Sequence, residues 1–448
     1  MVRRADLRAV VRPFEKRLPP DHSAGTTGPM FANPKFLPAL DRTALIATLL
    51  TPLLLMHAHG FAEVSVTLAG LCFLLRSVAT GEWVWVKTPW VALSLVWWGW
   101  MVVCSLPIAA MGLGDNGAHG LLQGLLALRF PLFSAALAFG VLREADPRRW
   151  MFGTIAASAA YVAVHLVFQF IFGVNLYGMP KAWDTLLTGP FGTARAAPLM
   201  ARILPPVIIP FAARYLDRRF LPYVILLGGL AVVVIVGQRI PVLIMIGTLA
   251  VAALLIRRMR PIALAALVLT ALLIPSFAVI SPKTYQHMVS RTQVLAGGFA
   301  VGYYGEMYNR AFEIGRQKPW NGTGFDGFRL ACPEPRYFRP SFDGAVANGG
   351  GADICWVHPH NFYFQALVDG GVPGLALFCA FGIACLIPLG RGLWRNPDPM
   401  RVGLFATMLA QIFPVQSTPS FWSMPMGGWF FLLLGWAMAE TYGRTKNP

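Results

Sequence analysis

The sequence predicts an all-α, polytopic membrane protein of about twelve spans with one long connection between late spans. Three observations predict it. The mean hydropathy is +0.57. Only 13% of the 448 residues are charged, too few to clothe a soluble enzyme. Apolar runs also recur at the length of about 20 residues that an α-helix needs to cross a bilayer. They fall at 39–58, 61–79, 89–108, 119–141, 150–173, 196–214, 221–237, 240–256, 261–280, 361–390, 401–415 and 424–441. The sixth is interrupted by Pro198, Pro205, Pro206 and Pro210, and the eleventh is short.

Charge orients these runs. The net charge of +17 would suit a nucleic-acid partner, but its distribution argues against one. With the amino terminus inside, basic residues gather on alternate connections: Arg76 and Lys87, then Arg143, Arg148 and Arg149, then Arg214, Arg218 and Arg219. Arg257, Arg258 and Arg260 follow, then Arg391, Arg395 and Arg401. The loops after the first, third and eleventh runs carry no lysine or arginine. This is the positive-inside pattern, so both termini are expected in the cytoplasm. The charge therefore reports topology.

Residues 1–38 are polar, basic and proline-rich, without the apolar core of a signal peptide. They are expected to form a loose cytoplasmic tail. Spans one to nine occupy 39–280, the long outer loop 281–357, and the last three spans with a short cytoplasmic end 358–448. Connections longer than about 12–15 residues are usually functional or disordered. The long loop is aromatic and mixed in charge, which favours structure. Within it, residues 306–317 (EMYNRAFEIGRQ) have the pattern of a short amphipathic helix stopped by Pro319. A second outer loop, 174–195, carries Lys181, Trp183, Asp184 and Arg195.

The candidate chemistry starts at 358–374, HPHNFYFQALVDGGVPG, where the long loop re-enters an apolar run. Polar groups at the mouth of a span are costly unless paired or used. A zinc site would need further ligands at defined spacing, which the loop lacks. His360 is then either a helix cap, which Asn361 would do better, or a general base, since imidazole titrates near neutral pH. Arg195, Arg202, Arg239 and Arg310 lie on the expected outer side, against the positive-inside bias. Each alone reads as a snorkelling residue. Together they suit a phosphate-bearing ligand, onto which guanidinium forks bidentately. Arg129 falls inside the fourth run, where it either lines a cavity or holds helices together. Glu306, Glu313 and Asp326 are rival bases, with a solvated or ion-paired face as their default. Tyr303, Tyr304, Tyr308, Trp320 and Phe325 can stack on sugars or pack within the loop. Cys72, Cys104, Cys379 and Cys385 lie in spans as small packing residues. Cys332 and Cys355 share the outer loop, where an oxidising compartment permits a disulfide worth about 3 kcal/mol. Phosphate-loop, serine-elbow and zincin motifs are absent from the sequence.

Three segments carry a family resemblance. HPHNFYFQALVDGGVPGLALF resembles the His-Asn-x-x-x-Gln run followed by Gly-x-x-Gly of the O-antigen ligase and polymerase superfamily. NRAFEIGRQKPWNGTGFDGF is similar to its arginine, helix, Pro and Gly-Phe pattern, and GQRIPVLIMIGT to its Gly-Ser-Arg segment, with Gln238 in place of Ser. The resemblance implies a GT-C-like membrane fold and glycosyl transfer at the periplasmic face of a bacterial inner membrane, without metal or other cofactor. The donor would be a glycan on undecaprenyl diphosphate, the acceptor lipid A–core in ligases or another lipid-linked glycan in polymerases. His360 matches the family's essential histidine, and Arg310 and Arg239 its arginines. Arg195 and Arg202 would add diphosphate contacts, with Asn361, His358 and Arg129 in support. A transporter or flippase for a lipid-linked glycan is the reading from a different class; it requires repeat-related halves and broken helices.

Overall fold

The computed structural model describes residues 35–182, 185–290, 298–341, 344, 346–415 and 419–443. Most of the expected tail, Trp183, Asp184, Arg444 and Lys446 lie outside them. Each of the twelve apolar runs is helical. The helices are α1 (Phe36–His57), α2 (His59–Thr80), α3 (Pro89–Cys104), α4 (Gly117–Leu126), α5 (Arg129–Ala136), α6 (Ala145–Phe172), α7 (Ala196–Ile203) and α8 (Pro205–Arg214). There follow α9 (Leu221–Ile235), α10 (Arg239–Leu255), α11 (Arg260–Ile280), α12 (Tyr303–Gln317), α13 (Phe362–Gly390), α14 (Pro399–Gln411) and α15 (Met426–Gly443). Among the described residues there are only isolated β-bridges, in the 174–186 segment.

Among the described residues six helices, with α4 and α5 taken as one, are long and apolar enough to cross a membrane, and the α7–α8 pair makes a seventh bent by 42°. The bend sits where Pro205 and Pro206 withhold backbone N–H groups. α3, α9 and α10 are apolar but shorter. The expected count of twelve full-length crossings thus becomes six or seven by length, with shorter apolar helices among them. The chain is an all-helical, multi-pass membrane protein.

α15 is apolar on all sides and buried at almost every position, as such a helix must be. Ser134 of α5 donates to its Phe431 carbonyl (2.7 Å). Trp97 packs among Phe378, Phe381, Phe421 and Trp422 with ring centroids 4.7–5.8 Å apart. α11 instead exposes Leu264, Leu267, Val268 and Leu272, a surface suited to lipid.

Contacts between connections fall into two sets that follow the alternation of charge. In one, Arg148 meets Glu440 (3.5 Å), Arg258 meets Asp217 (2.5 Å), and Arg401 donates to the Arg391 carbonyl (2.9 Å). In the other, Asn321 of the long loop donates to Gly112 (2.7 Å) and Asn116 to Phe325 (3.2 Å). Lys318 also pairs with Asp115 (2.6 Å), and Thr284 reaches Thr185 (3.2 Å).

Candidate active site

The two longest motif segments meet through the break in α13. Gly371 has φ 65°, ψ −164°, which ends the first half of the helix at residue 370. The carbonyls freed there need donors in an apolar setting. The GTGF turn supplies them: Thr323 N–H donates to Val368 (2.8 Å) and Gly324 N–H to Asp369 (2.9 Å). Thr323 Oγ1 adds a bond to Val368 (3.0 Å), and Trp100 Nε1 donates to Gly370 (2.8 Å). Gly322, with φ 58°, sits where a Cβ would come within 2.4 Å of the Val368 oxygen. The Asp-Gly-Gly and Gly-Thr-Gly-Phe motifs are therefore two sides of one contact.

At its other end the half-helix is capped by Asn361, whose Oδ1 accepts from Tyr363 N–H (2.9 Å) and Phe364 N–H (3.3 Å). Asn361 Nδ2 donates to Pro414 (2.7 Å), and the Tyr363 hydroxyl to Ile412 (2.6 Å). Gln365 donates to Ser420 Oγ (2.9 Å) and accepts from Phe421 N–H (2.8 Å). In His-Asn-x-x-x-Gln, the amides thus bind the segment after α14 and leave the histidine outside the helix.

His360 has φ 52°, which costs an L-residue about 1–2 kcal/mol. Among the described residues the other positive-φ non-glycine is Asp326, in the facing motif (φ 57°). Strain of this kind concentrates at functional sites. Around the His360 ring stand His358 (centroids 4.4 Å apart), Tyr304 (5.9 Å) and Trp356 (6.1 Å). Burial, with help from His360 and Arg329, pushes His358 down to about 3, and its Nε2 lacks a hydrogen-bond partner. His358 is neutral at physiological pH. Of the candidate stacking residues, Tyr304 edges His360 and Trp320 is exposed, while Tyr308 stacks on Phe364 (4.9 Å) and Phe325 is core.

Arg310, which the resemblance assigns to the diphosphate, is buried in the loop next to the Cys355 sulfur. It is 2% exposed and donates to the carbonyls of Cys332, Gly349 (3.1 Å) and Gly351 (2.8 Å). Its guanidinium lies over the Phe338 ring, 4.0 Å from the centroid. Both terminal nitrogens of the fork thus bond to the loop's own backbone. Cys332 and Cys355 are joined in a disulfide across 23 residues, next to the same guanidinium. Glu313 does not lie on a solvated face: it is buried, and Arg316 (2.8 Å), Gln317 (2.7 Å) and Arg339 (3.0 Å) hold its carboxylate down at about 2. Glu306 is buried as well.

The remaining arginines form a second group. Gln238, which precedes Arg239, donates to Ala194, which precedes Arg195 (2.9 Å), so the two arginines start neighbouring helices at one junction. Arg195 and Glu63 both act electrostatically on His59. Glu63 pairs with Arg129 (3.4 Å), so Arg129 ties α2 to α5. Glu63 is not among the residues singled out above, although an acid within an apolar run is itself a signal. Arg202 is 4% exposed, and its NH1 donates to Pro198 (2.6 Å).

No curated protein matches the chain. The profile of the O-antigen ligase family matches residues 223–379, a stretch that contains Arg239, Arg310 and His360 and excludes Arg129, Arg195 and Arg202. The protein is thus a multi-pass membrane protein whose stretch from α9 into α13 matches the O-antigen ligase family, and that match supports the O-antigen ligase/polymerase superfamily.

Proposed function

We propose that the protein is a glycosyltransferase that moves a glycan from undecaprenyl diphosphate to an acceptor hydroxyl at the periplasmic face of a bacterial inner membrane. The observation that carries this reading is His360: an imidazole on a strained backbone, held outside a capped half-helix, beside a second imidazole that stays neutral. In the reaction the acceptor oxygen attacks the anomeric carbon as its bond to the diphosphate oxygen breaks. His360 takes the hydroxyl proton, and undecaprenyl diphosphate leaves with the electron pair. A single displacement inverts the anomeric centre. Negative charge grows on the leaving group, where the fixed guanidinium groups of Arg195 and Arg239 stabilise the transition state more than the ground state. Arg310 acts indirectly, as the anchor of the loop that frames His360. Tyr304 and Trp356 offer flat surfaces to the acceptor sugar. Lipid A–core is the acceptor in the ligase form of this reading, and a second lipid-linked glycan in the polymerase form.

The test is His360→Ala in cells and in purified form. Inserted, folded protein with transfer abolished and lipid-linked donor accumulating on the outer face is the expected result. With wild-type protein, lipid A–core capped in one step identifies a ligase, and a ladder of products a polymerase. The 42° bend between α7 and α8 favours the transporter reading. Donor accumulating on the inner face in the variant would establish that reading and end the enzymatic one.

A further inference from the structure

A cluster of imidazole and phenol rings stands at the ends of α1 and α6, outside the family-matched stretch. Tyr161 and His165 are one turn apart on one face of α6, and their rings meet edge-on with centroids 4.8 Å apart. His57, the last residue of α1, meets Tyr161 (5.6 Å), and Tyr177 meets His165 (4.7 Å). The Tyr161 and Tyr177 hydroxyls bond to each other at 2.6 Å. The turn that presents Tyr177 is held by two buried amides. Asn175 Oδ1 accepts from Tyr177 N–H (2.9 Å) and Met179 N–H (3.0 Å), while its Nδ2 donates to Gly189 (2.6 Å). Gln169 donates to Pro180 (3.1 Å) and accepts from Thr188 N–H (2.8 Å). Tyr177 is therefore fixed in place although it is 56% exposed, and His57 is exposed too. His165 lies beneath them at 2% exposure, and its Nδ1 has no hydrogen-bond partner among the described residues.

A buried polar atom without a partner is costly, so a ligand that reaches it gains by pairing it. The two phenols share one bond, which uses one of their two O–H protons and leaves the other to donate. No carboxylate acts on His165; the titratable group that does is His57. Charged side chains gather instead around His59, on which Arg195 and Glu63 act. Among the described residues no three His, Cys, Asp or Glu side chains converge to hold a metal. The cluster therefore suits an uncharged ligand that both donates and accepts. A hydroxyl does both, and so satisfies Nδ1 in either tautomer of the imidazole. The exposed rings of His57 and Tyr177 add flat surface for the C–H face of a sugar. We propose that His57, Tyr161, His165 and Tyr177 form a carbohydrate subsite, in which a sugar ring rests on the exposed rings and its hydroxyls bond to the phenols and to His165 Nδ1. The inference rests on the glycosyl-transfer reading for its ligand class. The sugar belongs either to the donor glycan or to the acceptor, and the two are separable by experiment.

The experiment measures the affinity of the purified full chain in detergent for four probes: lipid A–core, lipid A without core, undecaprenyl diphosphate carrying a glycan, and undecaprenyl diphosphate alone. Wild type is compared with Tyr177→Ala and His57→Ala, at exposed positions, and with His165→Phe, which keeps a ring and drops its nitrogens. Tyr177→Ala and His165→Phe are expected to bind one glycan-bearing probe about 10-fold more weakly and its glycan-free counterpart as wild type does. A loss confined to lipid A–core assigns the subsite to the acceptor, and one confined to the undecaprenyl-linked glycan assigns it to the donor. Wild-type affinity of both variants for both glycan-bearing probes overturns the inference. Equal weakening of the glycan-free probes also overturns it, since the cluster would then be packing. Should His165→Phe fail to fold, Tyr177→Ala and His57→Ala decide, and unchanged affinities in both end the proposal. His360→Ala, measured in parallel, keeps the two readings apart. Transfer that survives in it ends the general-base reading, whereas the subsite is judged by binding alone. A wild type that binds neither glycan-bearing probe more tightly than its glycan-free counterpart ends the subsite even where transfer proceeds.

Discussion

The Arg310 guanidinium lies 4.0 Å from the centroid of the Phe338 ring and donates from there to the carbonyls of Cys332, Gly349 and Gly351. One side chain thus gathers three separate stretches of the long loop. Each buried carbonyl left without its donor costs about 1–3 kcal/mol. Arg310→Ala is therefore expected to lower the unfolding temperature sharply, and activity with it. Arg310→Lys keeps the charge but not the planar fork, so it should be impaired nearly as much. Thermal unfolding in detergent checks this. An unchanged midpoint with diphosphate binding lost would return Arg310 to the role of a clamp.

His360 has a left-handed backbone that glycine adopts freely and alanine does not. Replacing the imidazole should therefore abolish transfer in both variants but divide them in stability. His360→Gly is expected to exceed His360→Ala by about 1 kcal/mol, read from denaturant or thermal unfolding. Equal stabilities would mean that the φ of 52° relaxes at no cost, and the argument from strain would go.

His358 is held at about 3 by its burial, with His360 and Arg329 adding to the effect. In the unfolded chain a histidine titrates near 6.5. Between those two values the unfolded state binds the extra proton, so stability rises with pH across this window and is lost as pH falls from about 6.5 towards 3. His358→Asn should flatten that part of the curve of unfolding temperature against pH, while wild type slopes. If the two curves run parallel, His358 titrates in the folded protein much as it does in the unfolded one.

The helices were legible in the sequence because lipid imposes a simple code, an apolar run of fixed length, and all twelve runs are helical. The broken sixth run is legible from its prolines, and the helix expected at 306–317 from its amphipathic pattern, although it starts one turn earlier, at Tyr303. Partnerships were less legible. Arg310 and Arg202 look alike in sequence, as outer arginines near span ends, yet among the described residues one donates to three carbonyls and the other to one. Backbone acceptors leave no signature in residue identity, so the carbonyl partners of Arg310 are invisible in the sequence. A solvated or ion-paired face is the sequence's default for Glu313; it is ion-paired but buried, and one of its partners, Arg339, stands 26 residues away. The pairing of Arg129 with Glu63 joins two spans, and nothing in either run names its partner.

Gln365 supplies the last prediction. Its amide donates to Ser420 Oγ and accepts from Phe421 N–H, at 6% exposure and one turn from His360. Gln365→Ala strands the Phe421 amide beside the Trp97 aromatic cluster and should cost about 1–3 kcal/mol. Ser420→Ala removes only the bond from the Gln365 amide N–H to the serine hydroxyl and should cost about 1 kcal/mol. Because both variants break the same contact, the double variant should be less destabilised than the two losses added together, by about 0.5 kcal/mol or more. Transfer should fall further in Gln365→Ala than in Ser420→Ala, since only the former frees the turn of helix that sets His360. Strict additivity would show that Gln365 and Ser420 do not act as a pair, and wild-type activity in Gln365→Ala would show that His360 holds its place without the segment after α14.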